Sequence, residues 1–184
     1  MILPIVQYGD PVLRQKCEPA ESVDDALRKL ADDMIETMVD ANGVGLAAPQ
    51  VGRAIRLAVV DVSHDPECVS YLRVNGEDVP LAEIMPLVFI NPEIETGGKR
   101  VAEEEGCLSI HEIRASVSRP PEVKARLPQL DGGVIELEAD GLLARALQHE
   151  IDHLNGILFV DRVSAAAKVG MRRKLKRLAA AGPA

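Results

Sequence analysis

The sequence predicts an α+β fold, in which antiparallel β-sheets pack around a central helix carrying an HExxH motif and a further helix ends the chain. Its 184 residues correspond to a single domain over residues 1–184, and the 47% apolar content can fill the core of such a domain. The segments with strand character mostly precede the HExxH helix, which is typical of α+β proteins. The sequence contains no internal repeat and no linker.

Residues 23–39 have the pattern of an amphipathic helix, with Ser22 as its N-cap and Asn42-Gly43 beyond its end. We expect its apolar side chains to lie in the core. They are Val23, Ala26, Leu27, Leu30, Ala31, Met34, Ile35, Met38 and Val39.

Four further segments have strand patterns. They are residues 55–62, 87–90, 117–127 and 134–138. The last two are predicted to form a hairpin that turns at Asp131-Gly132-Gly133. Residues 63–83 are longer and more polar than a plain connection between strands. Because they contain Pro66, Asn75-Gly76 and Pro80, we predict an insertion with its own turn or hairpin.

The segment Gln148-His149-Glu150-Ile151-Asp152-His153-Leu154 is the most informative part of the chain. It lies in a predicted helix with Asp140 as N-cap and Asn155-Gly156 as its exit. An apolar stripe indicates that this helix is mostly buried and directs metal ligands inward. The stripe comprises Leu143, Ala146, Leu147, Ile151 and Leu154.

His149 and His153 are four residues apart, so both can bind one metal ion from the same helix face. Glu150 lies beside them and can carry a proton. A catalytic zinc-type centre usually has three protein ligands, but no His, Cys or Glu follows His153. The third ligand is therefore expected upstream, which differs from the layout of many HExxH proteases.

Cys107 is the best upstream candidate, because a thiolate is a strong ligand for zinc or ferrous iron. It lies in Glu104-Glu105-Gly106-Cys107-Leu108-Ser109-Ile110, where Gly106 permits close backbone approach. The preceding Glu103-Glu104-Glu105 run is expected to be mostly solvated, with Glu105 close enough to support the Cys107 loop.

A third segment, residues 43–52, contains three glycines and a proline, and is predicted to be an irregular loop. Such a loop can lay its backbone against an extended substrate. Gln50 is its only polar side chain, and an amide donor near a metal could stabilise an oxyanion. By itself this segment would fit an ordinary turn between a helix and a strand.

The three segments together resemble the peptide deformylase family. That family is marked by a GxGLAAxQ loop, an EGCLS segment and a QHExDHLxG helix in this order, which match residues 43–52, 105–109 and 148–156. The resemblance implies hydrolysis of the N-formyl group from the N-terminal formylmethionine of new polypeptides, with release of formate.

The resemblance also implies roles for individual residues. Cys107, His149 and His153 would bind one divalent metal ion, natively Fe²⁺ and replaceable by Zn²⁺, Ni²⁺ or Co²⁺. Glu150 would be the general acid and base, and Gln50 with the Leu108 backbone N–H would be the oxyanion donors. The implied substrate-binding residues are Val44, Gly45, Glu112, Arg114, Arg145 and Ala146.

Two features depart from the family pattern. His111 stands where the family commonly has proline, and we expect it to be a rim residue without a metal role. The other departure is the insertion at residues 63–83. Neither changes an expected ligand, so both bear on substrate preference rather than on the chemistry.

Composition indicates the cellular setting. Three cysteines without a paired framework suggest a reducing compartment. The sequence has no basic-then-apolar leader and no apolar run long enough to cross a bilayer, so we expect a soluble cytoplasmic protein. The absence of Trp and the scarcity of other aromatic residues remove stacking platforms for single-stranded nucleic acid, and we expect neither membrane nor DNA as a partner.

The C-terminal segment is basic. Residues 162–184 contain seven of the 21 Lys and Arg residues and no acid. We predict a helix over residues 163–180, with Ala167, Met171, Leu175 and Leu178 on one stripe. It could be a solvated helix docked on an acidic body, or it could contact ribosomal RNA.

Three other functions fit parts of the sequence. An HExxH endopeptidase would lack its downstream ligand. A cysteine nucleophile with a histidine base would work without metal. A noncatalytic RNA- or ribosome-binding protein would use the basic helix and leave Glu150 idle.

Overall fold

Three antiparallel sheets surround the helix that carries the histidine pair. The computed structural model describes residues 1–182. The helices are α1 (Asp25–Asp40), α2 (Leu81–Ile84), α3 (Gly141–Leu154) and α4 (Ala165–Ala181). The strands are β1 (Gly45–Ala47), β2 (Leu57–Val60), β3 (Leu72–Val74), β4 (Glu77–Asp78), β5 (Leu87–Ile90), β6 (Glu93–Gly97), β7 (Val101–Cys107), β8 (Ile110–Arg119), β9 (Glu122–Pro128) and β10 (Val134–Asp140).

The first sheet has the order β1-β2-β5 and the second the order β4-β3-β10-β9-β6, while β7 and β8 form a separate hairpin. All strand pairs within these sheets are antiparallel. Helix α3 packs between the first two sheets, with Leu143, Leu147 and Leu154 fully buried. The α+β architecture around a central helix is therefore as predicted.

Helix α1 is present but begins later than predicted. Its N-cap is Asp24, whose Oδ1 accepts a hydrogen bond from the Leu27 N–H at 2.8 Å, and the predicted cap Ser22 is wrong. Two residues predicted for the core, Ala26 and Val39, are exposed. The remaining apolar face packs against the first sheet, because its spacing follows the helical period.

Two predictions of backbone conformation need correction. The segment 117–127 is not one strand, since Pro120-Pro121 lies between β8 and β9. Proline has no N–H to donate to a sheet, so the ladder ends there. The segment 43–52 is not wholly irregular, because Gly45–Ala47 pairs with β2 and Ala48–Val51 forms a 3₁₀ turn. The hairpin at Asp131-Gly132-Gly133 joins β9 to β10 as predicted.

The predicted insertion forms a hairpin of its own. Strands β3 and β4 turn at Asn75-Gly76, and β3 extends the second sheet beside β10. The insertion also contacts the start of α3. The Asp140 carboxylate accepts hydrogen bonds from the N–H groups of Ser70 and Tyr71 rather than capping its own helix.

Helix α4 begins after Ser164, whose hydroxyl accepts a hydrogen bond from the Ala167 N–H. Its predicted stripe packs on the body beside Ile110, Ile113 and Phe159, and Met171 is buried. Across residues 1–182, no helix has both the length and the apolarity to span a bilayer. The last two residues of the predicted domain, 183–184, lie outside the described range.

Candidate metal centre and active site

Three potential metal ligands converge where the β7–β8 hairpin meets α3. The helical repeat places His149 and His153 on one face, and Cys107 ends β7 just before the turn. One ligand atom from each of these residues lies within 4.8 Å of the others. The Cys107 Sγ is 3.4 Å from the His153 Nε2. Both the sequence spacing and the tertiary arrangement therefore suit one small cation.

Glu105 fixes the orientation of His149. Its Oε1 lies 3.0 Å from the His149 Nδ1, so the Nε2 of that ring is left for a metal. Arg119 binds both oxygens of Glu105, at 2.6 and 2.9 Å, and Arg145 binds Oε2 at 2.6 Å. Burial opposes the charged form of Glu105, but hydrogen bonds from His149 and Arg119 outweigh it and hold its pKa well below the usual range.

The two histidines differ in the protonation state that their surroundings favour. Burial lowers the pKa of His153 well below its usual value, so the ring is neutral, as a ligand must be. Burial also opposes protonation of His149, but hydrogen bonds to Cys107 and Glu105 outweigh it and raise the pKa of that ring. Binding of a metal ion to the His149 ring would require loss of that proton. One thiolate and two imidazoles form a donor set suited to zinc or ferrous iron.

Glu150 lies buried beside these potential ligands. Only 4% of the residue is exposed, and its Oε2 is buried without a hydrogen-bond partner among the described residues. Burial raises the pKa of Glu150 to about 7. A carboxyl group with such a pKa can both accept and donate a proton near neutral pH.

Gln50 faces the same centre from the 3₁₀ turn. Its Oε1 accepts a hydrogen bond from the Ala47 N–H at 2.9 Å, so its Nε2 points the other way. That Nε2 donates to the Ser109 hydroxyl at 3.1 Å and lies 3.5 Å from the Cys107 Sγ. Residues 43–52 alone were weak evidence for a site, yet their predicted amide donor, Gln50, lies beside the potential metal ligands.

A cleft of about 740 Å³ opens over this centre. Its walls include all of the sequence-predicted site residues except His153, which lies behind them and is 1% exposed. The predicted residues in the walls are Val44, Gly45, Gln50, Cys107, Leu108, Glu112, Arg114, Arg145, Ala146, His149 and Glu150. The site residues predicted from the sequence therefore converge on one cleft.

The predicted rim residues differ in how they are held. Glu112 has a φ of 62°, which is uncommon for a residue with a side chain and often marks functional sites. Arg114 is exposed and pairs with Glu104 at 2.8 Å. The Arg145 guanidinium is buried and binds Glu105 and backbone carbonyls, so its polar head is already engaged. His111 is exposed and lines the cleft, as a rim residue should.

Sequence reasoning missed the groups that support the ligands. Glu105 was assigned to a mostly solvated acidic run with a role in supporting the Cys107 loop, yet it is 6% exposed and binds His149. Arg119 joins Glu105 to Asp152, which belongs to the helix motif itself. The alternation along β8, which points Arg119 inward with Val117, is the signal that could have identified this arginine.

Phe159, Gln7 and His64 were also missed. The Phe159 ring stacks on His149 with centroids 6.2 Å apart, and Gln7 and His64 line the cleft. Phe159 lies just beyond the motif at 148–156, and Gln7 and His64 belong to none of the three motifs, so motif spacing alone could not reveal their contacts.

Comparison with known proteins agrees with this geometry. A family model described as polypeptide deformylase matches residues 2–169. A peptide deformylase of Mesorhizobium japonicum is 46% identical over 179 residues, which cover 97% of this chain and 93% of the relative. The peptide deformylase of Brucella suis biovar 1 is also 46% identical, with 97% and 94% covered.

Solved structures give the same result. A peptide deformylase from Legionella pneumophila is 40% identical with a TM-score of 0.79, and 100% of each chain is covered. One from Synechococcus elongatus is 40% identical with a TM-score of 0.79, covering 96% of this chain and 85% of the other. Since the family model spans most of the sequence and the relatives align over nearly all of it, this chain belongs to the peptide deformylase family.

Proposed function

We propose that this protein hydrolyses the N-formyl group from the N-terminal formylmethionine of newly made polypeptides and releases formate. The observation that carries the proposal is the convergence of Cys107, His149 and His153 beside the buried Glu150, at the base of an open cleft. Family membership supports a hydrolase of this kind.

Cys107, His149 and His153 would hold one divalent metal ion, natively Fe²⁺, with Zn²⁺, Ni²⁺ or Co²⁺ as replacements. The donor set of one sulfur and two imidazole nitrogens supports a soft or borderline metal. When bound, such an ion supplies the Lewis acidity that makes water a nucleophile near neutral pH. Glu105 keeps the His149 ring in the orientation required for binding.

Glu150 accepts the proton of the attacking water at its carboxylate, whose Oε2 has no hydrogen-bond partner within residues 1–182. The water oxygen forms a bond to the formyl carbon, and the carbonyl oxygen gains negative charge. Glu150 then donates the proton to the departing amine as the C–N bond breaks. Burial raises the pKa of Glu150, which makes its carboxylate a better proton acceptor than an exposed one.

Gln50 and Leu108 stabilise the charge that develops on the carbonyl oxygen. The Gln50 Nε2 and the Leu108 backbone N–H donate hydrogen bonds to it. Both residues line the cleft, and Gln50 is 1% exposed. The Gln50 amide is held before substrate binds by its bonds to Ala47 and Ser109, which lowers the cost of reorganisation during the reaction.

The substrate lies extended along β1. This strand is at the edge of its sheet, so the backbone of Val44 and Gly45 can pair with an added strand. Val44, Arg145 and Ala146 frame the pocket for the methionine side chain. Glu112 and Arg114 contact later residues of the peptide at the rim.

We further propose that the protein acts in the cytoplasm, where new chains emerge, and that the basic face of α4 contacts the ribosome. Its cations project into solvent while the apolar stripe packs on the body. A positive face attracts RNA phosphates with a strong dependence on salt.

The test is metal analysis of protein purified without air, paired with turnover of a formyl-Met peptide. We expect one transition-metal ion per chain, loss of turnover on chelation, and recovery on addition of Fe²⁺ or Zn²⁺. Casein cleavage by the same sample would favour the endopeptidase. Full deformylation by verified metal-free protein would instead favour Cys107 as a nucleophile.

A further inference from the structure

The proposed oxyanion donor Gln50 faces the reaction centre with a side-chain amide. This amide has two polar ends, the oxygen Oε1 and the nitrogen Nε2. One end is fixed by the backbone, because its Oε1 accepts the Ala47 N–H at 2.9 Å. The other end carries two hydrogens on Nε2. Only one of these hydrogens needs to face the developing oxyanion. The other is available for a contact that fixes the plane of the amide.

Ser109 is the side chain that holds the second end. Its hydroxyl oxygen accepts a hydrogen bond from the Gln50 Nε2 at 3.1 Å. Ser109 is 0% exposed and Gln50 is 1% exposed, so water does not compete for this bond. The same Nε2 lies 3.5 Å from the Cys107 Sγ, which places its other hydrogen toward the metal ligands.

Ser109 is itself anchored from outside the hairpin. The Tyr8 N–H donates to the Ser109 carbonyl at 2.7 Å, and the Val6 N–H donates to the Gln50 carbonyl at 2.7 Å. The Gln7 Nε2 donates to the Leu108 carbonyl at 3.1 Å. One short N-terminal segment, residues 6–8, therefore binds the backbone beside both proposed oxyanion donors.

We propose that Ser109 is a positioning residue, whose hydroxyl aims the Gln50 amide at the reaction centre and joins it to the turn that carries Leu108. This inference rests on the proposed function, because it gives Ser109 a role only through the oxyanion contact of Gln50. Without the hydroxyl, the amide loses one of its two fixed ends and rotates away from its productive orientation for part of the time.

A double-mutant cycle in the zinc-loaded enzyme tests the proposal. Ser109→Ala should lower kcat by about 5- to 30-fold with KM and metal content unchanged, since the lost contact matters in the transition state. In a Gln50→Ala background, Ser109→Ala should change kcat by less than about 2-fold. Ser116→Ala is the matched control, because Ser116 is exposed on strand β8, which begins directly after Ser109.

The possible outcomes distinguish failure of this inference from failure of the proposed function on which it rests. Normal turnover in Gln50→Ala would overturn the oxyanion role on which both depend. A large loss in Gln50→Ala with no effect of Ser109→Ala, or with the same Ser109→Ala effect in both backgrounds, would overturn only the role of Ser109. An equal effect of Ser109→Ala in both backgrounds is expected of a serine that only stabilises the fold.

A measurement on the unmodified protein does not depend on the folding of any variant. In ¹⁵N-labelled, zinc-loaded enzyme, the Gln50 amide should give two separate hydrogen signals, one close to the Ser109 β-hydrogens. Its exchange with solvent should be much slower than that of the exposed Gln15 amide. Exchange as fast as that of Gln15, or no proximity to Ser109, would overturn the proposal.

Discussion

Glu150 and Cys107 meet at one centre, but their removal should have different consequences. Glu150→Ala takes away the proposed proton carrier and leaves all three proposed ligands, so metal content should persist while turnover falls about 10²-fold or more. Cys107→Ala takes away a thiolate, so metal affinity should drop and activity with it. Cys107→Asp supplies a harder oxygen donor and should retain metal with a changed preference among ions.

Elemental analysis beside formyl-Met-peptide kinetics distinguishes these variants. Near-normal turnover in Glu150→Ala would contradict its role as acid and base. Equal metal affinity in Cys107→Ala would require a different third ligand, with His111 the first to examine because it lines the same cleft.

Glycine is required at position 45 because the side chain of Glu150 lies against it. A Cβ at this position would be 2.5 Å from the Glu150 Oε1 and 2.8 Å from its Cδ. Because a carboxylate side chain can move, Gly45→Ala should leave the fold and metal content intact but displace the proton carrier. We expect turnover to fall at least about tenfold. Gly170→Ala is the control, since open space surrounds Gly170; unchanged kinetics in Gly45→Ala would show that Glu150 tolerates the shift.

Cys17 predicts a pH dependence of stability. Burial raises the pKa of its thiol to about 11, partly offset by Arg56. The unfolded thiol loses its proton near pH 8.5, so rising pH favours the unfolded state until the folded thiol also ionises. The free energy of unfolding should therefore fall by roughly 2 kcal/mol between pH 7 and pH 10 through this residue. Cys17→Ala should lack that part of the decline in urea unfolding of the zinc-loaded enzyme. The same decline in both proteins would contradict the assignment.

At the scale of elements, the start of α3 depends on its contact with the insertion. Gly141 has a φ of 58°, and a Cβ there would collide with the Cys68 backbone carbonyl. Backbone cannot yield as a flexible side chain does, so Gly141→Ala should lower the free energy of unfolding by about 1–3 kcal/mol. Gly170→Ala within α4 should instead raise it by about 0.5–1 kcal/mol. Denaturant unfolding measures both, and a neutral Gly141→Ala would mean that the insertion is free to move.

At the scale of the whole molecule, α4 combines an inner packing face with an outer charged face. Deletion of residues 168–184 spares every proposed catalytic group, but it also removes buried Met171 from a cluster that includes Phe159. Neutralising Arg172, Arg173 and Lys176 with serine is therefore the cleaner change, because all three are exposed.

We expect this triple variant to retain turnover of a short formylated peptide and its thermal stability. Its association with ribosomes should weaken, and the salt dependence of binding should become less steep. Cosedimentation over a range of salt concentrations measures the effect. Equal binding by the parent and the variant would leave α4 as a packing element only.

The sequence predicted the candidate metal ligands and determined the general architecture through local rules. His149 and His153 share a helix face because of the helical period, Cys107 followed from the lack of any ligand after His153, and apolar periodicity located α1 and α3. The boundaries at Ser22 and within 117–127 were wrong, because capping geometry and proline in a strand depend on which neighbours compete for each backbone group.

Only the tertiary structure decided which distant groups support the site. Glu105 binds His149, Arg119 links that carboxylate to Asp152, and Ser109 holds Gln50. These contacts join segments tens of residues apart, and a charged residue in a strand reads as solvated until its sheet face is known. Spacing along the chain encodes contacts within one element, whereas burial and pairing between elements arise only when the sheets close around α3.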